Sequence, residues 1–425
     1  ARSAEQRPSK PTAPADRLCV VGLPDARADR TPEDPAKTTL ETFAAKHVAE
    51  LSISAIKEMA MRAARVPGVA SLAWGLPSFR TPEHIRATVA DALSDDPDVG
   101  KYSLPDGLPA LREAIASHHE EVAGAKVSAD ENVLVTAGNM EGVKCLLSTI
   151  LNPGDEVIVT DPGFASHFQQ IRLGGGRPVC WALDEGNDWS LSLERLPGLI
   201  TQRTRVLLLV TPSNPTGRIF SRDELLRVAE ILERENVLLI LDDPYSHFVY
   251  DDRELFFSPA RLADGTGNVA YLFSFSKCHA MTGWRLGYAI LPSDLKRQML
   301  KVHDATMICA PRISQVAGCA ALNGPQDHLR EFEAELDRRR QLICERLDRV
   351  PHVFSYVRPQ GAYYVFPKIV APHSSAEQFS IDLLEQAGVC VTPGGAFGPS
   401  GEGHVRMAFC GPEDGINKAF DRIER

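Results

Sequence analysis

The chain has 425 residues, 44% hydrophobic and 24% charged, with a formal net charge of -10 at pH 7, the composition of a globular protein with room for two domains and not of a fibrous or disordered one. An acidic balance without a basic field argues against nucleic acid as a partner, so any bound anion needs a local site. No apolar run nears the ~20 residues of a membrane span, and nine dispersed cysteines without a CxxC pair fit reduced thiols in a cytoplasmic enzyme better than disulfides or a zinc site.

Residues 1–45, rich in Pro, Ala and mixed charge, are expected to form a mobile extension. Asp16, Asp25, Asp29, Glu33 and Asp34 speak against a transit peptide, and "LCVVGL" is too short for a secretory core. Beyond them the pattern alternates. Val133–Thr136 reads as a strand, "MEGVKCLLSTIL" as a helix, Glu156–Thr160 as a strand, and "FASHFQQIRLGGG" as a helix stopped by glycine. Pro178–Ala182 and Val206–Val210 follow as strands, and "SRDELLRVAEILEREN" as a helix with Ser221 and Glu224 forming a capping box. Val237–Leu241 and Val269–Phe273 are further apolar strands. This alternation predicts an α/β protein with a mainly parallel sheet covered by helices on both faces. From about 325 a long charged helix, "AYYVFPKIV", another helix and Gly403–Phe409 predict a second, smaller α+β domain.

An open parallel sheet leaves its ligand crevice at the carboxyl ends of its strands. There the chain carries Ala137, Gly138 and Asn139 at a helix start suited to phosphate, and "TPSNPTG" presenting Asn214. Asp242 emerges from one apolar strand, followed by Asp243, Pro244 and Tyr245; burial raises the pKa of such an acid unless a cation partners it. Lys277 sits in "SFSKCHAMTGWRLGY", carried out of a core by the preceding strand. Lysine is ordinarily a solvated surface charge, so this placement makes it a candidate for chemistry.

Taken together, "SFSKCHAMTGWRLGY", "NPTG" and the Asp242 to Tyr245 spacing resemble the pyridoxal-phosphate-dependent aminotransferases of class I/II, fold type I. Ser274, Ser276, Lys277, Gly283, Arg285, Gly287 and Tyr288 match that family's S-x-S-K…G-x-R-x-G-Y signature. The resemblance runs from about residue 50 to the C-terminus. It implies an N-terminal segment over 46–94 contributing to the small domain and an active-site loop, a large cofactor-binding domain over 95–324, and a small domain over 325–425.

By the same resemblance Lys277 forms a Schiff base with pyridoxal 5'-phosphate, and desolvation near other cations lowers its pKa enough for the amine to attack. Arg285, Ser274, Ser276 and the start at Ala137, Gly138 and Asn139 are expected to bind the phosphate, with the amide of Asn139 standing where the family often has a hydroxyl. Asp242 pairs with the pyridine nitrogen, with Asp243 as its competitor for that role. Tyr245 and Asn214 bond the phenolic oxygen, and Phe164 stacks on the ring unless it is a core residue. Arg406 in "HVRMAF" holds the substrate α-carboxylate bidentately, a surface-strand arginine being the alternative, and the Gly75 backbone approaches that carboxylate. Tyr102 resembles the tyrosine that reaches the phosphate of the neighbouring subunit, which implies a homodimer with shared active sites.

The expected reaction moves the amino group of an L-amino acid to a 2-oxo acid. Carbon–sulfur lyases, cyclopropane-forming synthases, decarboxylases, oxidases and cyclases share the same lysine, aspartate and arginine. A non-catalytic regulator would need a helix-turn-helix module ahead of this domain. For the substrate side chain, His303, Asp304 and Arg312 are the candidate readers.

Overall fold

A computed structural model describes residues 43–425 apart from 50, 52, 54 and 252. Two units emerge, Ala1–Ala49 and Glu50–Arg425. The first contributes one described helical turn, Lys46–Ala49, and the expected extension over 1–45 lies outside the described residues except for 43–45. The second carries the fold.

Its centre is an eight-stranded sheet in the spatial order Val133–Thr136, Gly287–Ile290, Val269–Ser274, Leu238–Asp243, Thr204–Val210, Glu156–Asp161, Arg177–Asp184 and Ser190–Leu191. The five strands from Val269–Ser274 to Arg177–Asp184 pair in parallel. Gly287–Ile290 runs antiparallel to both neighbours, and Ser190–Leu191 closes the far edge antiparallel. The α/β expectation holds. Strand side chains alternate between faces, and here Leu207, Leu209, Leu239 and Leu241 enter one buried cluster while Val206, Leu208 and Ile240 enter another. Both faces are therefore apolar, which is why these strands read as continuous hydrophobic runs. The helix Arg222–Arg234 starts with the expected capping box: Glu224 N–H donates to Ser221 Oγ and Ser221 N–H to Glu224 Oε2.

Tyr364–Val365, Val405–Ala408 and Thr392–Pro393 form a second sheet, with its own core around Leu336, Phe354, Tyr363, Met407 and Phe420. The segment expected as one unit over 46–94 divides. Ala70–Ser71 pairs with Val389–Cys390 and Met59 packs on Leu384 and Cys390, on the small-domain side. Glu83–Asp95 instead sends Ile85 and Val89 into the large core, because its apolar positions meet the helix Arg312–Asn323.

Candidate active site

The carboxyl ends of five strands converge on a cavity of about 720 Å³. Gly75, Asn139, Phe164, Asn214, Asp242, Tyr245, Ser274, Ser276, Lys277, Arg285 and Arg406 all line it.

Lys277 follows the strand Val269–Ser274 in the short helix Phe275–Cys278, whose first turn is closed by Ser274 Oγ accepting from Ser276 N–H. Its Nζ donates to the carbonyl oxygen of Gly75 at 3.0 Å. Burial brings its pKa down from 10.5 to about 8, with Arg406 and Arg285 adding to the shift and Cys410 opposing it. A free amine is thus within reach near neutral pH. The Gly75 carbonyl also accepts from Tyr363 Oη at 3.2 Å, and a Cβ on Gly75 would lie 2.0 Å from Tyr364 Oη. Only glycine fits there.

At one end of the cavity Arg285, in the left-handed region at φ 53°, donates from Nη2 to Ala137 O at 3.4 Å and from Nη1 to Thr282 O at 3.0 Å. Gly138 lies so near that a Cβ would meet Nη2 at 2.5 Å. Two expectations for this helix start need correction. The Ala137 N–H is taken by Glu141 Oε2 at 3.1 Å, because Glu141 stands one helical turn on. The side-chain amide of Asn139 faces the sheet and donates to Asp242 Oδ1 at 2.7 Å, so it is not a donor toward the guanidinium end.

Asp242 is held a second time, with Oδ2 3.0 Å from His167 Nε2. A carboxylate only accepts, so His167 carries its hydrogen on Nε2. The buried partners of this acid are an amide and an imidazole, and His167 had no place in the sequence reading. The available signal was its position three residues after Phe164 on the same helix start, where i and i+3 side chains adjoin; the two rings meet edge-on at 5.1 Å. Asp243 points to the other face of the strand. Tyr271 Oη donates to it at 2.9 Å and Ser246 N–H at 3.0 Å, and complete burial raises its pKa to about 6. It does not touch the cavity.

Asn214 joins two parts of the site. Its Oδ1 accepts from Arg406 Nη1 at 3.2 Å and its Nδ2 lies 3.5 Å from Tyr245 Oη. Tyr245 Oη is also 3.1 Å from Tyr364 Oη, and burial keeps both phenols protonated. Arg406 is sandwiched between the Tyr364 and Phe397 rings, its Cζ 4.5 and 4.9 Å from their centroids. Nη2 donates to Ala73 O at 2.6 Å, while the buried Nε has no partner among the described residues. It is a core-facing arginine, 2% exposed, and not a surface one.

Three expected side-chain readers do not line the cavity. His303 is fully buried with Nδ1 on Glu141 at 2.9 Å, Asp304 is exposed, and Arg312 pairs with Asp96 at 3.4 Å. The outer wall is instead Ile56, Lys57, Met140, Lys144, Ser166 and Leu173. Tyr102 is absent from the lining and 73% exposed. Among the described residues, no helix is long and apolar enough to cross a membrane.

The donor set is what pyridoxal phosphate needs: a cation and helix-start N–H groups at one end, a carboxylate fixed at the other, a depressed lysine between them, and a glycine where a Cβ would collide with the guanidinium. The family model for aminotransferase class I and II matches residues 67–423. The chain belongs to that family. An aspartate aminotransferase of Pyrococcus horikoshii is 35% identical over 389 residues, covering 90% of this chain and 97% of the relative. Aromatic-amino-acid aminotransferase 2 of Thermococcus litoralis is 32% identical, covering 88% and 95%. Among solved structures, alanine aminotransferase from Pyrococcus furiosus superposes with a TM-score of 0.84 at 30% identity, covering 90% and 98%. This aminotransferase is a pyridoxal-phosphate-dependent enzyme of the transaminase type, the first of the reaction outcomes that the shared lysine, aspartate and arginine left open.

Proposed function

We propose that this transaminase moves the amino group of an L-amino acid to a 2-oxo acid with Lys277 as the residue that carries the cofactor and shuttles the proton. The observation carrying this reading is the meeting of Lys277, Asp242 and Arg406 on one cavity at the strand ends. When bound, pyridoxal phosphate supplies a conjugated ring that takes up the electron pair left as the substrate Cα–H bond breaks. Arg285, Ser274, Ser276 and the backbone N–H groups of Gly138 and Asn139 hold its phosphate. Asp242, oriented by Asn139 and His167, keeps a proton on its ring nitrogen; Phe164 covers one ring face, and Tyr245 and Asn214 donate to its phenolic oxygen. Arg406 orients the substrate by its α-carboxylate beside Gly75, which sets Cα within reach of Lys277 Nζ. Lys277 Nζ would then take up the Cα proton as general base and hold it for return.

A homodimer with shared sites completes the reading. Tyr102, exposed and outside the lining of its own cavity, serves the partner's phosphate, and the exposed Trp74, Leu76 and Leu104 support a covered face. We assign the enzyme to the cytoplasm, which the eight free described cysteines support. The test is a screen of amino acids with and without an added 2-oxo acid. Formation of a new amino acid that depends on the acceptor supports transfer; ammonia, carbon dioxide or peroxide without an acceptor would overturn it.

A further inference from the structure

Glu141 lines the cavity at its guanidinium end, in the first turn of the helix Asn139–Ile150. That is an awkward place for a carboxylate if a phosphate is to bind there, because like charges in a poorly hydrated cavity repel strongly. The structure shows the carboxylate tied back. Oε1 accepts from His303 Nδ1 at 2.9 Å and from Cys145 Sγ at 2.7 Å, and Oε2 accepts from Ala137 N–H at 3.1 Å. Burial favours the neutral acid, but these donors outweigh it and hold Glu141 below its usual value. Glu141 is therefore charged, and the carboxylate can only accept, which places the His303 hydrogen on Nδ1.

We propose that His303, from the helix Ser293–Met307, is a positioning residue for cofactor binding: it holds the Glu141 carboxylate against the Ala137 N–H and out of the space where the phosphate binds. This rests on the cradle assigned above. His303 is fully buried and its Nε2 has no partner among the described residues, so its polar contact there is this one carboxylate. Ala137 is pinned from both sides, its N–H by Glu141 and its carbonyl by Arg285, so the tie also fixes the peptide that leads into Gly138. The donor atoms of Glu141, Cys145 and His303 lie within 4.8 Å of one another. Their separations from the shared Oε1 are hydrogen-bond lengths, and burial with the Glu141 charge pushes the Cys145 thiol up to about 12, which favours a bonded trio over a metal site.

The experiment compares cofactor dissociation constants of the apoenzyme, measured by fluorescence titration with pyridoxal phosphate, and calorimetric binding of inorganic phosphate. His303→Leu frees the carboxylate and is expected to weaken both by roughly tenfold or more. His303→Leu combined with Glu141→Gln removes the repelling charge and is expected to recover most of that loss. A double variant as weak as the single one, or a single variant with unchanged affinity, overturns the role; a folding defect from leucine would persist in the double variant and so count against it. Arg285→Ala is the reference arm. If it leaves phosphate affinity intact, the cradle assignment itself falls; if it weakens binding while His303→Leu does not, only the role of His303 falls.

Discussion

His167 Nε2 lies 3.0 Å from Asp242 Oδ2 in a setting where both side chains are buried. A hydrogen bond to a buried charged group contributes about 1.5 to 3 kcal/mol. His167→Phe fills the space without the donor, so kcat at saturating cofactor is expected to fall roughly tenfold to a hundredfold, with little change in KM because the imidazole does not meet the substrate carboxylate. Steady-state kinetics check this, and unaltered kcat removes His167 from the machinery.

The two adjacent aspartates separate cleanly by experiment. Asp242→Asn is expected to slow proton abstraction by orders of magnitude while retaining cofactor, and Asp243→Asn to keep most activity. Asp243 instead leaves a mark on stability. Its folded pKa of about 6 exceeds the ordinary 3.8, so the folded state binds this proton more tightly. Its stabilising contribution is full below 3.8 and is lost as pH rises through about 6. Chemical denaturation across that range should show the parent enzyme losing stability relative to Asp243→Asn, and parallel curves would contradict the assignment.

Covalent capture of cofactor by the apoenzyme is expected to quicken with pH up to about 8, following the free amine of Lys277. Arg406→Gln removes a nearby positive charge and moves that inflection upward. Borohydride trapping followed by peptide mapping reads both rate and position. A label on another lysine, or none lost in Lys277→Ala, would show that the anchoring amine lies elsewhere.

Arg406→Lys keeps the charge but loses the planar fork. Apparent affinity for amino acids and 2-oxo acids should drop roughly tenfold to a hundredfold, while amines lacking a carboxylate react as before. Equal damage to both substrate types would make Arg406 a structural residue between Tyr364 and Phe397.

Tyr102→Phe should loosen cofactor by about 1.5 to 3 kcal/mol through one hydrogen bond to a charged group. In hybrid dimers with Lys277→Ala on one chain and Tyr102→Phe on the other, both defects fall in one site and leave the second intact. Two impaired sites in every hybrid would mean that Tyr102 acts within its own chain.

What was legible in the sequence was local. Lys277 and Arg285 stand eight positions apart in one segment, and the strands announce themselves because both faces of the sheet are buried. Even so, the strand expected over Val237–Leu241 runs from Leu238 to Asp243, since pairing with the neighbouring strand carries it past the apolar run to its two acids. Contacts made across the chain were not legible. His167 and Asp242 are 75 positions apart, and Ala73 and Arg406 are 333 apart. The side chain of Asn139 follows the same rule: a helix start offers donors to any ligand, but which acceptor its amide meets depends on a strand 103 positions away.

The amide of Asn214 makes two side chains of the cavity into one thermodynamic object. Its oxygen is committed to Arg406 and its nitrogen to Tyr245, so turning or replacing it disturbs both at once. Changes at Arg406 and Tyr245 should therefore fail to add, as residues sharing a partner do. For anyone redesigning this enzyme, Arg406 and Tyr245 are a single inherited unit, while Ile56, Lys57, Met140 and Leu173 line the same cavity and are the positions to vary.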